Sequence, residues 1–141
     1  MPVKPKVVFR IADVPFIESP DRMNRDSVMV TDSTCGATQF SAGLFFVRPQ
    51  SHNHADKHTG QEELYYIFQG RGLVMIDDEP NEIQAGDVVL IPEGRKHQVV
   101  NNSDEELGLF WAIPTKWSNL KPVIEHLATW HVVEPGSAWG A

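Results

Sequence analysis

Three of the chain's six histidines fall within seven positions of the stretch QSHNHADKHTGQEELYYIFQG, residues 50–70. Read at every second residue, His52, His54, Asp56 and His58 share one phase. Alternate side chains of a strand project to one face, with residues i and i+2 about 7 Å apart, so neighbouring members of that set can reach one ion. Glu63 follows five residues after His58, and His97 stands in a second stretch, GDVVLIPEGRKHQVVN, residues 86–101. Imidazole and carboxylate together suit a divalent transition metal such as Fe, Mn, Zn or Ni. Three or four such ligands leave positions open to water, substrate or dioxygen. The carboxylate share leans away from Cu, toward Fe, Mn or Zn. His58, Glu63 and His97 form the expected core, with Asp56 as the fourth ligand. On an unbroken strand His54 lies about 13 Å from His58, and a bulge would bring it in instead. Imidazoles must be neutral to bind, so affinity is expected to fall below about pH 6.

Strands must position these groups, and the punctuation of the chain supplies them. Ten Gly and ten Pro cut it into short pieces. Apolar or alternating runs recur between turn signals at 28–31, 41–47, 64–68, 72–76, 88–91, 98–100 and 107–113. Many short strands between Gly, Pro, Asp and Asn clusters predict an all-β sandwich or barrel. The segments DDEP (77–80) and NNSDEE (101–106) read as hairpin loops. Only residues 119–130 read as helical, with Pro122 in the first turn.

The second stretch fits G-x5-P-x-G-x2-H-x3-N at Gly86, Pro92, Gly94, His97 and Asn101. It resembles the second conserved motif of the cupin superfamily at every position. The opening stretch is similar to the first motif at His58, Glu63 and Gly70. The family's first glycine is Gln50 here, and the first histidine of its H-x-H pair is Asp56 in a gapless alignment. A gapped alignment would use His52 and His54 instead; the gapless one needs no compensating insertion. The resemblance implies a small single-domain cupin of bacterial type, a double-stranded β-helix or jelly-roll barrel. It implies one domain over 1–141, with a barrel core of about 28–113 and irregular arms over 1–27 and 114–141.

Parity also proposes pocket walls. Arg48 shares the phase of Asp56 and His58, and an inward Arg could bind a substrate carboxylate. Tyr65 shares the phase of Glu63 and could donate a proton or pack. Trp111 could cap the pocket or fill the core. His126 and His131 receive no chemical role. The resemblance spans dioxygenases, decarboxylases, lyases, isomerases, cyclases and binding proteins. The expectation is a metal-dependent enzyme on a small organic molecule, a carboxylate or diketone-like compound. The other readings are a small-molecule or carbohydrate sensor and a metal-dependent isomerase or cyclase.

A net charge of −7 argues against nucleic acid or an anionic membrane as partner. The lone Cys35 precludes an internal disulfide, and the first ten residues lack an apolar signal core, so a cytoplasmic protein is expected. The outer segments hold three of the four tryptophans. Exposed aromatics of that kind often cover a partner, so a homodimer is expected.

Overall fold

In the run ELYYIFQ, Glu63, Tyr65 and Ile67 are buried while Leu64, Tyr66 and Phe68 are exposed. That two-residue period is a strand with one face on a core. The same logic repeats along the chain in the computed structural model, which describes residues 6–134 and 136–139. The elements run β1 (Phe16–Glu18), β2 (Asn24–Val30), a one-turn helix α1 (Asp32–Cys35), β3 (Ser41–Val47), β4 (Ser51–His52) and β5 (Glu63–Gln69). They continue with β6 (Arg71–Ile76), β7 (Glu79–Gln84), β8 (Val88–Ile91), β9 (His97–Asn101), β10 (Leu107–Ile113), α2 (Lys121–Leu127) and β11 (His131–Val133).

The strands form two antiparallel sheets. One has the order β11-β1-β2-β3-β10-β5-β8 and the other β4-β9-β6-β7. This is the all-β jelly-roll barrel that the motifs implied. Its core joins Val47, Ile67 and Leu107 to Val74 and Val99 of the smaller sheet, all 0–1% exposed. Each such side chain contributes about 1.5–3 kcal/mol by leaving water.

The apolar runs place β3, β8 and β10 at their observed ends, and α2 starts with Pro122 in its first turn. The barrel is wider than the expected 28–113. β1 and half of β2 lie before residue 28, and β11 lies after residue 113, pairing with β1. These segments carry little apolar alternation because both faces of β2 are covered: Asn24, Arg25, Asp26 and Ser27 are all buried. Arg25 pairs with Glu18 at 2.8 Å and donates to the carbonyls of Ser137 and Ala138, each at 2.7 Å. A buried guanidinium therefore holds the C-terminal segment on the barrel. β7 escaped notice because it contains Pro80 and buries only Ile83. Its hairpin turns through Asp77 and Asp78, both in the left-handed region at φ 47° and 68°, as a two-residue hairpin turn requires.

The tryptophans of the C-terminal segment find partners within the chain. Trp117 lies 5.9 Å from Trp111, Trp130 lies 6.5 Å from Phe45, and Trp139 lies under Arg25 at 4.4 Å.

Asn101 locks the end of β9. Its Nδ2 donates to Val47 O (3.0 Å) and Glu105 O (2.7 Å), and its Oδ1 accepts from the Ser103 amide (3.0 Å) and hydroxyl (2.7 Å). It is 1% exposed, so no water replaces those bonds when they are lost. Asn101→Ala is expected to destabilise the fold by about 3 kcal/mol in urea unfolding, whereas Asn102→Ala, on an exposed position, should change it by less than about 0.5 kcal/mol.

Candidate metal centre

β5 and β9 bring the central ligands together. Glu63 opens β5 and His97 opens β9, both with inward parity, 6% and 3% exposed. His58 precedes β5 in a loop held by the Gly94 amide, which donates to His58 O at 2.8 Å. The ligand atoms of His58, Glu63 and His97 all lie within 4.8 Å of one another. His97 Nε2 is 3.2 Å and His58 Nε2 3.6 Å from Glu63 Oε1. His97 Nδ1–H donates to Arg95 O at 3.2 Å, which leaves Nε2 free to bind. Two imidazoles and one carboxylate converging on one point fit a divalent metal of the Fe, Mn, Zn or Ni kind, with positions left open.

The remaining residues take varied places. Asp56 is bridged to His97 through both backbone groups, at 2.8 Å each way, which fixes it at the ligands' level. Its Oδ2 stands 4.0 Å from His58 Nε2, while Oδ1 accepts the Lys57 amide. The strand expected through 52–58 is broken: β4 ends at His52, and Asn53 then pairs with Val99 through its amide and its Oδ1. His52 consequently turns outward to Gln98 (3.1 Å). His54 lines the cavity and stacks on His126, ring centres 4.5 Å apart. Tyr65 and Trp111 also line the cavity, each 6% exposed.

Arg48 does not line it. β3 ends at Val47 and the chain turns through Gln50 at φ 56°, so strand parity no longer governs Arg48. Its guanidinium instead stands 5.4 Å from the Trp139 ring.

Two ionisable cavity residues had no expected role. His126 is brought in by α2, and it was unreadable because nothing in the sequence says where that helix docks. Asp26 lies on β2 and is fully inside. It sits two residues before Val28 in the same phase; extending that strand back by one pair would have found it.

The cavity measures about 90 Å³. Apart from its polar groups it is walled by Phe45, Leu109, Ile113, Val123, Leu127 and Trp130. Burial resists the charge of Glu63, but hydrogen bonds and charge from His58 and His97 reverse this and hold its pKa below the ordinary value. Burial also opposes a charged His58; the hydrogen bond and charge of Glu63, with Asp56, win and raise its pKa above 6.5. Tyr65 is pushed well above the ordinary phenol range by burial and by Glu63, so it stays a neutral donor.

Comparison with known proteins accords with this geometry. Residues 43–113 match the family described as Cupin domain. SchB of Streptomyces halstedii is 33% identical over 99 residues, covering 69% of this chain and 69% of that one. The polyketide synthase CurC of Streptomyces cyaneus is 33% identical over 98 residues, 69% of this chain and 64% of that one. Another match spans only 36% of its relative. The crystal structure of a predicted oxalate decarboxylase from Thermotoga maritima superposes with a TM-score of 0.67 at 22% identity, over 77% of this chain and 99% of that one. The chain belongs to the cupin family. Among the described residues no helix is long and apolar enough to cross a membrane.

The raised pKa of His58 sets the pH dependence of metal uptake. Its protonated form is favoured in the metal-free fold, a stabilisation present below pH 6.5 and lost as pH rises through the folded value. A metal needs the neutral ring and must displace that proton. Affinity is therefore expected to begin falling at a pH above 6.5, not at the pH of about 6 set by a free imidazole, and to drop about tenfold per unit below the folded pKa. Calorimetric Zn or Mn titrations between pH 5.5 and 8.5 measure this. An onset below pH 6 would show that Glu63 does not hold the His58 proton.

Proposed function

We propose that this cupin is a metal-dependent enzyme acting on a small carbonyl or carboxylate compound, of decarboxylase, lyase or dioxygenase type. The observation that supports the reading is the convergence of His58, Glu63 and His97 inside a cavity whose other walls mix apolar side chains with Asp26, Asp56, Tyr65 and two further histidines. Ionisable groups aimed at one point in a barrel oppose folding unless something shares their charge. A bound divalent ion would polarise a substrate oxygen and stabilise negative charge developing on it. The chain's own residues do the rest. The apolar wall excludes water, which strengthens every polar contact inside. The Arg95 carbonyl orients His97. Tyr65, a neutral phenol in the cavity beside Glu63, can hold a proton for an electron-rich carbon or oxygen formed in the reaction. The relative CurC, named as a polyketide synthase, favours carbonyl-rich substrates over sugars as the first compounds to try.

Metal analysis of protein purified without an affinity tag, then reconstituted anaerobically, tests the reading. Wild type should hold close to one equivalent of Fe, Mn, Zn or Ni. His58→Ala and His97→Ala should each bind at least about 100-fold more weakly, Asp56→Ala about tenfold, and His52→Ala as wild type. Loaded wild type should convert oxalate or acetylacetone, followed by nuclear magnetic resonance of products and by oxygen uptake. A wild type that takes up none of these ions sinks the proposal.

We also propose a homodimer, on a surface other than the outer segments. Leu64, Tyr66, Val88, Leu90 and Phe110 are exposed on the outer face of β5, β8 and β10. The register sets Leu64 beside Leu90, Tyr66 beside Val88, and Phe110 beside Tyr66, so they form one patch. A second copy offers the same patch in a two-fold pairing. Light scattering at micromolar concentration should give twice the chain mass, and Leu90→Glu should give the monomer mass. A monomeric wild type refutes the dimer.

A further inference from the structure

Asp26 shares a rung of the large sheet with Phe45 of β3 and, through it, Leu109 of β10. All three line the cavity that holds the His58, Glu63 and His97 cluster. A carboxyl group 7% exposed in such a place normally meets a cation. Among the described residues no Lys, Arg or His pairs with Asp26. Its side-chain partner is an indole: Trp111 Nε1–H donates to Oδ1 at 3.1 Å.

That contact depends on Gly43. A Cβ there would collide with the Ser27 carbonyl and stand 2.8 Å from Trp111 Cζ2. Glycine lets the indole of β10 lie across β3 and reach β2. Burial pushes the Asp26 carboxyl up, against hydrogen bonds from Trp111 and the Ser27 amide and with the negative charge of Glu63, to about 8. A neutral carboxyl has acceptor lone pairs and an O–H. The indole and the Ser27 amide use acceptor positions, which leaves the O–H to donate.

We propose that Asp26 is a second binding pole of the cavity: its O–H donates to a carbonyl or carboxylate oxygen of the ligand while oxygens at the ligand's other end face His58, Glu63 and His97. This rests on the metal-centre reading above and names its ligand class. β2 lies three strands from β5, about 14 Å across the sheet, and the register carries Asp26's rung to Ile67, two residue pairs along β5 from Glu63; the barrel's curvature brings both into one cavity, where Asp26 feels the charge of Glu63. Phe45 and Leu109, on Asp26's own rung, are apolar walls of that cavity. The ligand is therefore a short molecule with an apolar body and an oxygen group at each end, the pattern of a keto acid.

The probe is levulinate, a keto acid with two methylenes between its ketone and its carboxylate. It is titrated into zinc-loaded and zinc-free protein by calorimetry from pH 6 to 9. Asp26→Leu should weaken levulinate binding at least about tenfold, and Asp26→Asn, whose amide still donates, should stay within about threefold of wild type. Wild-type affinity should fall as pH rises through about 8, where the O–H ionises, and the Asp26→Asn profile should lack that fall. Trp111 faces the carboxyl from β10 without titrating, and Glu63 and Tyr65 act on it from β5. Glu63 ionises well below this window and Tyr65 well above it, while His58, in the same cavity, has its pKa raised above 6.5 and titrates inside it in wild type and Asp26→Asn alike. A fall shared by the Asn variant belongs to some other group and counts against Asp26. Infrared spectra of the metal-free protein at pH 7 should contain a protonated-carboxyl band that Asp26→Asn removes.

Absence of that band, or equal levulinate affinity in wild type and Asp26→Leu, overturns the assignment. So does zinc-loaded wild type that binds no levulinate. Failure of wild type to take up zinc is a failure of the metal-centre reading instead; the infrared band and levulinate binding to zinc-free protein then still decide the role of Asp26.

Discussion

A single negative charge organises the interior. Glu63 is 6% exposed and keeps its proton off, because His58 and His97 place ring nitrogens 3.6 and 3.2 Å from its Oε1. Leaving such a carboxylate unpaired would cost several kcal/mol in desolvation. The same charge acts on the groups around it. It favours the proton on His58 and helps keep Tyr65 and Asp26 neutral. Around Glu63 the cavity thus gathers the two imidazoles that answer its charge and the neutral Tyr65 and Asp26, beside Asp56, His54 and His126. A divalent ion held by the cluster would take over the balancing role from protons, so its binding would be coupled to proton release.

The motif GDVVLIPEGRKHQVVN is the mechanical counterpart of that electrostatics. Gly86 and Gly94 take φ of 99° and 72°, in the turns that open and close β8. β9 then alternates His97, Val99 and Asn101 inward. One end of the strand presents a ligand to Glu63. The other is fastened through Asn101 to β3 and to the loop before β10. Glycines, ligand and anchor are spaced by the geometry of two turns and a five-residue strand, which is why the pattern reads so clearly in the sequence.

What was legible followed from regular alternation. Strands with one face on the core declared themselves by apolar phase, and His58, Glu63 and His97 by spacing within motifs. What was illegible followed from its loss. β7 and β11 bury too little to leave a pattern, β1 is three residues long with Glu18 as one of its two buried side chains, and β2 is covered on both faces, so its polar residues hid it. Arg48 failed the parity argument because its strand had already ended, and His52 because the chain leaves the sheet at Asn53. Asp26 and His126 reach the cavity through packing between segments far apart in the chain, which no local period encodes.

The residues outside that local code complete one part of the cavity. The ligand cluster, Tyr65 and the walls Phe45, Leu109, Trp111 and Ile113 all come from the stretch 43–113 that matches the family. The rest comes from β2, which supplies Asp26, and from α2 and the turn after it, which supply Val123, His126, Leu127 and Trp130. Every one of those lies outside the matched stretch. The matched stretch therefore carries the charged cluster, and β2, α2 and the turn after it close the cavity around it. Arg25 links the two ends, since β2 carries it and the carbonyls of 137 and 138 receive it. The C-terminal segment is thereby tied to the strand that carries Asp26.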